Sequence, residues 1–278
     1  MHSASQSTLS IVINLLIGFV VLTASCLTLL LVPTTTTAIM IGALVLVGGI
    51  ALQKSGLAKW QLLAQISILV GAVILGGGII LADKGNLRSF AAIVIVYGIA
   101  GVYARSGTLI ALAVFALGPT LGAASGYSHV TVQEPLLTVV VFSVLGMGLF
   151  WVSQSLAYSH LAIIASRTCA LMVNIGFWMG AVWGDKLNEQ SQHPIVISDV
   201  IFSVMWAVVL FGAAIWAWRE NRPWLLDIVA VFGVIHFYTQ WYVHFGATIE
   251  TLSSALTTAL LFPLLIRYIH RLIEQNKK

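Results

Sequence analysis

The chain consists of apolar stretches separated by short polar segments, and this alternation predicts a series of membrane-spanning helices. A helix needs about 20 mostly apolar residues to cross a hydrocarbon layer of about 30 Å. We assign ten such stretches and number them span 1 to span 10 in chain order. They are residues 8–32, 35–53, 60–82, 89–104, 106–126, 135–156, 160–184, 198–218, 224–244 and 249–270.

Two of the breaks between spans are short. Spans 4 and 5 are separated by Arg105, Ser106 and Gly107, and spans 6 and 7 by residues 157–160. If one of these pairs re-enters the membrane from the same side, the chain has eight spans. We adopt ten spans, because this assignment leaves connections of the length usual between antiparallel helices.

The composition excludes soluble, disordered and fibrous proteins. Hydrophobic residues make up 59% of the chain and charged residues 8%, whereas a soluble domain carries about 25% charged residues. The mean hydropathy of +1.01 agrees. We therefore predict an all-α, polytopic transmembrane helical bundle, with residues 1–278 forming a single integral membrane domain and no soluble domain.

The basic residues predict the orientation of the chain. With the N-terminus inside, three of the 13 Lys and Arg residues lie in outer loops (Lys84, Arg88 and Lys186), and Arg167 lies within span 7. The other nine lie in inner segments, which is a strong positive-inside bias. Both termini are therefore predicted to be cytoplasmic. Topology and contact with anionic lipid headgroups explain the net charge of +4 without a nucleic-acid partner.

The sequence contains no Asn-x-Ser/Thr sequon, which is consistent with a bacterial inner membrane. Six of the nine Trp residues lie near predicted span ends, where the indole ring prefers the headgroup region. We interpret these six as anchors at the membrane surface.

Glycines predict where helices touch. Spans 5 and 7 each carry three glycines at four-residue spacing, so each trio lies along one helix face and allows close approach of a neighbour. The trios are Gly118, Gly122 and Gly126, and Gly176, Gly180 and Gly184. We expect these faces to pack against each other or against large neighbouring side chains. The consecutive glycines 76–78 in span 3 instead predict local softness or a break.

Two of the charged residues inside spans are candidates for a functional role. Arg167 is about seven residues into span 7, and Asp227 is about three residues into span 9, at the same side of the membrane. A charge in a span normally has a partner or faces water. The two residues form an ion pair, or Asp227 favours the positive end of its own helix while Arg167 reaches the headgroups.

Span 9 contains the densest polar stretch. His236, Gln240 and His244 recur at four-residue spacing and share one face, whereas Asp227 and Tyr238 share another. On span 7, Arg167, Asn174 and Trp178 form a single stripe. We therefore expect spans 7 and 9 to line the polar interior of the protein. The candidate ligand-binding or proton-linked residues are Arg167, Asn174, Asp227, His236, Tyr238 and Gln240.

Other site chemistries have less support. His236 and His244 are eight residues apart, too far for one metal ion without distortion, and haem ligation has no spacing signature. The sequence shows no Ser or Cys nucleophile with a recognisable base. We therefore expect no metal, no cofactor and no enzymatic activity. Polar groups at these positions can also simply hydrogen-bond between helices.

Two resemblances bear on identity. The run from Trp224 to Ala247 and the glycine-rich region 104–127 resemble segments of a family of bacterial predicted multi-pass membrane proteins of unknown function. That family implies no activity or site residues. The ten short helices with both ends inside also resemble the architecture of drug/metabolite transporters, which implies two five-helix halves and a site near the midplane. A division near residue 130 shows no sequence repeat.

These observations predict that the protein binds or transports a small solute at a polar site between spans 7 and 9. Here Arg167 supplies fixed positive charge, and Asp227 and His236 are proton-linked. The orienting residues are Asn174, Tyr238 and Gln240. The alternative is a non-transporting assembly or accessory protein that binds a membrane protein partner or a second copy of itself.

Overall fold

The computed structural model describes residues 34–56, 60–122, 134–154, 159–187, 195–246, 248–250, 253–254, 257 and 261. Within these residues it bounds eight helices and one two-stranded sheet. They are α1 (Thr35–Lys54), α2 (Gln61–Ala82), α3 (Leu87–Ala104), α4 (Gly107–Gly122), α5 (Pro135–Ser153), α6 (Ser159–Trp183), β1 (Asp185–Leu187), β2 (Ile195–Ile197), α7 (Asp199–Arg219) and α8 (Pro223–Phe245). The predicted all-α fold class is confirmed.

Seven of the described helices are long and apolar enough to cross a membrane. The eighth, α4, is apolar but shorter, with its apolar part at Gly107–Thr120. Helices α1 to α8 correspond to predicted spans 2 to 9. Span 1 and most of span 10 lie outside the described residues. Both short breaks separate distinct helices, because α3 ends at Ala104 before α4 begins at Gly107, and α5 ends at Ser153 before α6 begins at Ser159.

The chain divides into two compact units, Met1–Val173 and Asn174–Lys278, with the boundary inside α6. In the first unit, α1 packs on α2 and α3 packs on α4. A hydrophobic core joins these helices. Its buried members are Leu46, Ile68, Ala72, Leu75, Ile93, Tyr97, Leu109 and Ala113.

Glycines bring the backbones of α1 and α2 into contact. A Cβ at Gly42 would overlap the backbone of Leu75, and one at Gly71 would overlap the backbone of Leu46. A Cβ at Gly49 would lie 2.8 Å from the backbone nitrogen of Ile68. As the residue numbers of the contacts increase along α1, those of their partners decrease along α2, so the two helices are antiparallel. Close approach through small residues is the usual way in which membrane helices associate, because lipid provides no hydrophobic drive.

The structure shows no break at glycines 76–78, because α2 runs continuously from Gln61 to Ala82. Two of these glycines make room for neighbouring helices instead. A Cβ at Gly76 would overlap the hydroxyl of Tyr97, which donates a hydrogen bond to the carbonyl of Ala72. A Cβ at Gly78 would lie 2.9 Å from Ile39 Cγ1. Neighbouring side chains therefore hold this glycine run in helical form.

The glycine faces of spans 5 and 7 pack as expected at two positions. A Cβ at Gly118 would lie 2.5 Å from Met172 Cε, so α4 contacts α6 there, and a Cβ at Gly180 would overlap the ring of Phe202 on α7. Gly184 does not extend the second trio, because α6 ends at Trp183 and Gly184 has a φ of +70°. Gly126 lies outside the described residues.

In the second unit, the end of α6 leads into a small antiparallel hairpin of β1 and β2, which sequence analysis assigned only as a connection. Ser198 then caps α7, since its side chain accepts a hydrogen bond from the Ile201 amide. Helix α7 packs on α8. The hairpin and the cap set the start of α7, which carries the central residue of the candidate site.

Candidate functional site

Trp206 of α7 is the centre of a side-chain cluster in the second unit, and it is fully buried. Its indole Nε1–H donates a hydrogen bond of 2.9 Å to Asn174 Oδ1 on α6. The ring of His236 on α8 meets the indole edge-on at a centroid distance of 4.8 Å, and Phe232 lies 6.4 Å away. We call Asn174, Trp206, Phe232 and His236 the Trp206 cluster.

One face of α8 supplies the polar part of this site. Phe232, His236 and Gln240 follow one another at four-residue spacing, so they lie along the same face. His236 Nδ1 and Gln240 Nε2 are both buried, and neither has a hydrogen-bond partner among the described residues. Buried polar atoms are nearly always hydrogen-bonded, so two unpartnered atoms one turn apart distinguish this face of α8.

A second hydrogen bond ties α6 to α8. Trp178 Nε1 donates to Thr239 Oγ1 at 3.0 Å, and the Thr239 hydroxyl donates to the Ile235 carbonyl at 2.8 Å. Trp178 is one turn along α6 from Asn174, so both residues connect to other helices of the unit. Sequence analysis placed both residues on one stripe of this helix together with Arg167, and each of the two donates or accepts a hydrogen bond with a side chain of another helix.

Two other predicted site residues lie elsewhere. The Tyr238 hydroxyl donates a 2.9 Å hydrogen bond to the Ser254 carbonyl, which links α8 to the segment that follows it. Asp227 is exposed near the start of α8. The structure therefore brings Asn174 and His236 together through Trp206 and places Gln240 on the same face of α8. It does not bring Tyr238 or Asp227 to this cluster.

Arg167 belongs to the first unit, where its side chain is exposed on α6. The ion pair with Asp227 would join the two units, and it stays a prediction. In the part of the chain that the structure describes, no group of three or more His, Cys, Asp or Glu residues is arranged to hold a metal ion. No Lys, Arg, Asp or Glu belongs to the Trp206 cluster.

Sequence reasoning missed Trp206. It treated the tryptophans near span ends as membrane anchors, and Trp206 lies in the middle of span 8, far from a headgroup region. An indole in that position needs an acceptor for its N–H when it is buried. This requirement is the signal that would have paired it with the one Asn of span 7.

Comparison with family models, with curated protein sequences and with solved structures found no significant match to this chain. The class of the protein therefore rests on its own fold. Its helices and composition define it as an all-α membrane protein.

Proposed function

We propose that the chain is a ten-span protein of a bacterial inner membrane, with both termini in the cytoplasm. Four observations support this proposal. Eight helices lie at predicted spans 2 to 9. The two remaining spans are apolar in sequence, and nine of the 13 basic residues lie in segments that this topology places inside. The resemblance to bacterial multi-pass membrane proteins of unknown function agrees with this location.

Within this protein, the Trp206 cluster and Gln240 form the binding site for a small solute, which the protein binds or transports. The observation that carries this proposal is the pair of buried, unpartnered atoms, His236 Nδ1 and Gln240 Nε2. A solute with a hydrogen-bond acceptor satisfies the Gln240 amide, and a second polar group of the solute meets the His236 ring. The function is thus binding or transport, without a catalytic step.

The described contacts refine the roles of the predicted residues. Asn174 orients Trp206, whose indole forms a wall beside His236. His236 and Gln240 contact the solute. Tyr238 anchors the following segment through Ser254 and acts outside the binding site. Arg167 and Asp227 keep their proposed roles as a fixed positive charge and a proton-linked group near the inner side of the membrane.

Water access tests whether the site is a solute site. His236→Cys and Gln240→Cys, each in a Cys26→Ala/Cys169→Ala background, should react with a membrane-impermeant, water-soluble thiol reagent. The matched control is Val208→Cys on α7, which is 65% exposed in the structure and faces lipid if α7 spans the membrane. We expect the control to stay unreactive. Inert cysteines at both 236 and 240 would show a dry interior and exclude a solute site.

Binding is measured by a thermal-shift screen of the purified protein against small polar solutes at several pH values. A ligand at 100 times its Kd should add about 2.7 kcal/mol to the free energy of unfolding. The shift should disappear in Gln240→Leu, which removes the unpartnered amide but keeps the side-chain volume. The proton-linked part is wrong if the pH dependence of binding is unchanged in His236→Ala combined with Asp227→Asn.

A role in membrane assembly is the second candidate, and an aromatic strip on α8 favours it. Phe237, Trp241 and Phe245 stack along the helix with centroid distances of 5.7 and 4.9 Å. Phe237 is 52% exposed and Phe245 64%. A partner helix or a second copy of the chain can pack on this strip. Self-association in detergent that is lost in Phe237→Ala/Phe245→Ala would support this function.

A further inference from the structure

A groove in the first unit lies where α1 ends, α2 begins and α3 ends, and its volume is about 950 Å³. This volume is at the upper end of the range of about 300–1,000 Å³ for small-molecule sites. Gln53, Lys54, Gln61, Tyr103 and Arg105 form its polar part, and no acidic residue is among its described lining residues. We call it the basic groove. Its lining residues all belong to the first unit, and its proposed role does not depend on the function proposed for the Trp206 cluster.

The basic groove contains two cations, Lys54 and Arg105. Lys54 Nζ lies over the ring of Tyr103, 3.2 Å from its centroid, and this cation–π contact positions the ammonium while its N–H donors remain able to bind an anion. Arg105 follows α3 in the left-handed conformation, with a φ of +50°. That conformation is uncommon for a residue with a Cβ, and glycine adopts it more readily. An arginine at this position therefore carries a cost in backbone energy that glycine would not.

The groove also has an apolar strip and one buried polar atom without a hydrogen-bond partner among the described residues. Gly98, Ile99 and Val102 of α3 line it, and the latter two side chains are exposed. Gln53 Oε1 is buried and accepts no hydrogen bond from any residue that the structure describes. The groove therefore presents cations, an apolar strip and an acceptor that needs a donor.

The basic groove lies on the side of the membrane that the sequence predicts to be cytoplasmic. Trp60, directly before α2, is of the type that lies at the headgroup level, and Lys54 and Arg105 mark the side that the basic residues predict to be cytoplasmic. Anionic phospholipids bind basic pockets between helices on that side. We propose that the basic groove binds one anionic phospholipid, with its phosphate at Lys54 and Arg105 and an acyl chain along Ile99 and Val102. A headgroup hydroxyl, as in phosphatidylglycerol, donates to Gln53.

Native mass spectrometry of the purified full chain in detergent tests this site, with phosphatidylglycerol as the probe and phosphatidylcholine as the zwitterionic comparison. Wild type should retain one phosphatidylglycerol in preference to phosphatidylcholine. Arg105→Gly should bind about fivefold more weakly, and Arg105→Gly combined with Lys54→Gln about 30-fold more weakly. Glycine fits the left-handed backbone, so Arg105→Gly should fold at least as well as wild type.

Lys84→Gly is the matched control for the charge. Lys84 also has a left-handed backbone, with a φ of +52°, but it does not line the basic groove. The Lys84→Gly variant should leave phosphatidylglycerol binding unchanged. An equal loss of binding in Lys84→Gly and Arg105→Gly would show general charge attraction and overturn the proposal.

A steric variant tests the acyl-chain part. A Cβ at Gly98 meets nothing within 4 Å, so Gly98→Phe should fold and fill the groove, with at least tenfold weaker lipid binding. Gly148→Phe on α5 is equally open and lies outside the groove, and it should bind like wild type. Unchanged binding in Gly98→Phe would contradict the site. Displacement of the lipid by an equal concentration of inorganic phosphate would identify a free-anion site and also overturn the proposal.

Discussion

Trp206 and Asn174 form a hydrogen bond of 2.9 Å between α7 and α6, at a position where the indole ring is completely buried. The indole ring also forms a T-shaped contact with the ring of His236 on α8. A single tryptophan thereby connects three helices of the second unit. The arrangement gives His236 a fixed neighbour on α7, whereas His236 and Gln240 are related to each other only by their positions on α8.

A double-mutant cycle should detect this bond. Trp206→Phe removes the donor and Asn174→Ala removes the acceptor. Interhelical hydrogen bonds in membranes contribute about 0.6 kcal/mol on average and up to about 1.7 kcal/mol. We therefore expect a coupling energy of about 0.5–1.5 kcal/mol when unfolding is followed in a denaturing detergent. Additive effects of the two substitutions would mean that the bond does not stabilise the protein.

The contact of Tyr97 with the glycine run of α2 predicts a rescue. Gly76→Ala should destabilise the protein by about 1–3 kcal/mol, because the new methyl group overlaps the Tyr97 hydroxyl. Tyr97→Phe alone should cost about 0.5–1.5 kcal/mol through the lost hydrogen bond to Ala72. The double variant should be more stable than the sum of the two costs predicts, because phenylalanine removes the overlapping oxygen. Thermal unfolding of all four proteins measures this coupling.

Two adjacent glycines of α1 should respond differently to the same change. Gly49 packs against the backbone of Ile68, whereas a Cβ at Gly48 meets nothing within 4 Å. We expect Gly49→Ala to lower the free energy of unfolding by about 1–3 kcal/mol. Gly48→Ala should change it by less than about 0.5 kcal/mol. Similar melting temperatures for the two variants would argue against a close α1–α2 contact.

The glycines that face large side chains should not tolerate leucine. Gly180→Leu would place a branched side chain into the ring of Phe202, and Gly118→Leu would displace Met172. Both variants should give sharply reduced folded yield, measured as the monodisperse fraction after extraction. Gly212→Leu on α7 is the control, because its position is open. Combining Gly180→Leu with Phe202→Ala should restore part of the yield, since the second change provides the missing volume.

Much of the architecture follows from the apolar stretches along the chain. Spans 2 to 9 appear as helices whose ends lie within a few residues of the predicted ends, because a run of apolar residues in lipid must satisfy its backbone polar groups internally. The breaks at Arg105 and near residue 157 are correct for a similar reason. Polar or glycine residues at these breaks interrupt the apolar stretch, and this interruption is visible in the sequence itself.

The sequence determines the candidate site only in part. Four-residue spacing places His236 and Gln240 on one face of α8, and the same logic places Asn174 and Trp178 on one stripe of α6. Spacing alone does not show which neighbour a face meets. For this reason Tyr238 is grouped with the site by its polarity, although its hydroxyl bonds to Ser254.

Helix periodicity and membrane energetics are local properties, so the amino-acid order is sufficient to specify the helices and the faces of each helix that are polar or small. Contacts between helices depend on rotation and register over long sequence distances, and only the folded chain defines them. The α1–α2 glycine contact is such a case, since Gly42 and Gly71 are far apart in sequence and meet partners on the opposite helix. The central position of Trp206 is another, because it requires three helices to pack together before its N–H has an acceptor.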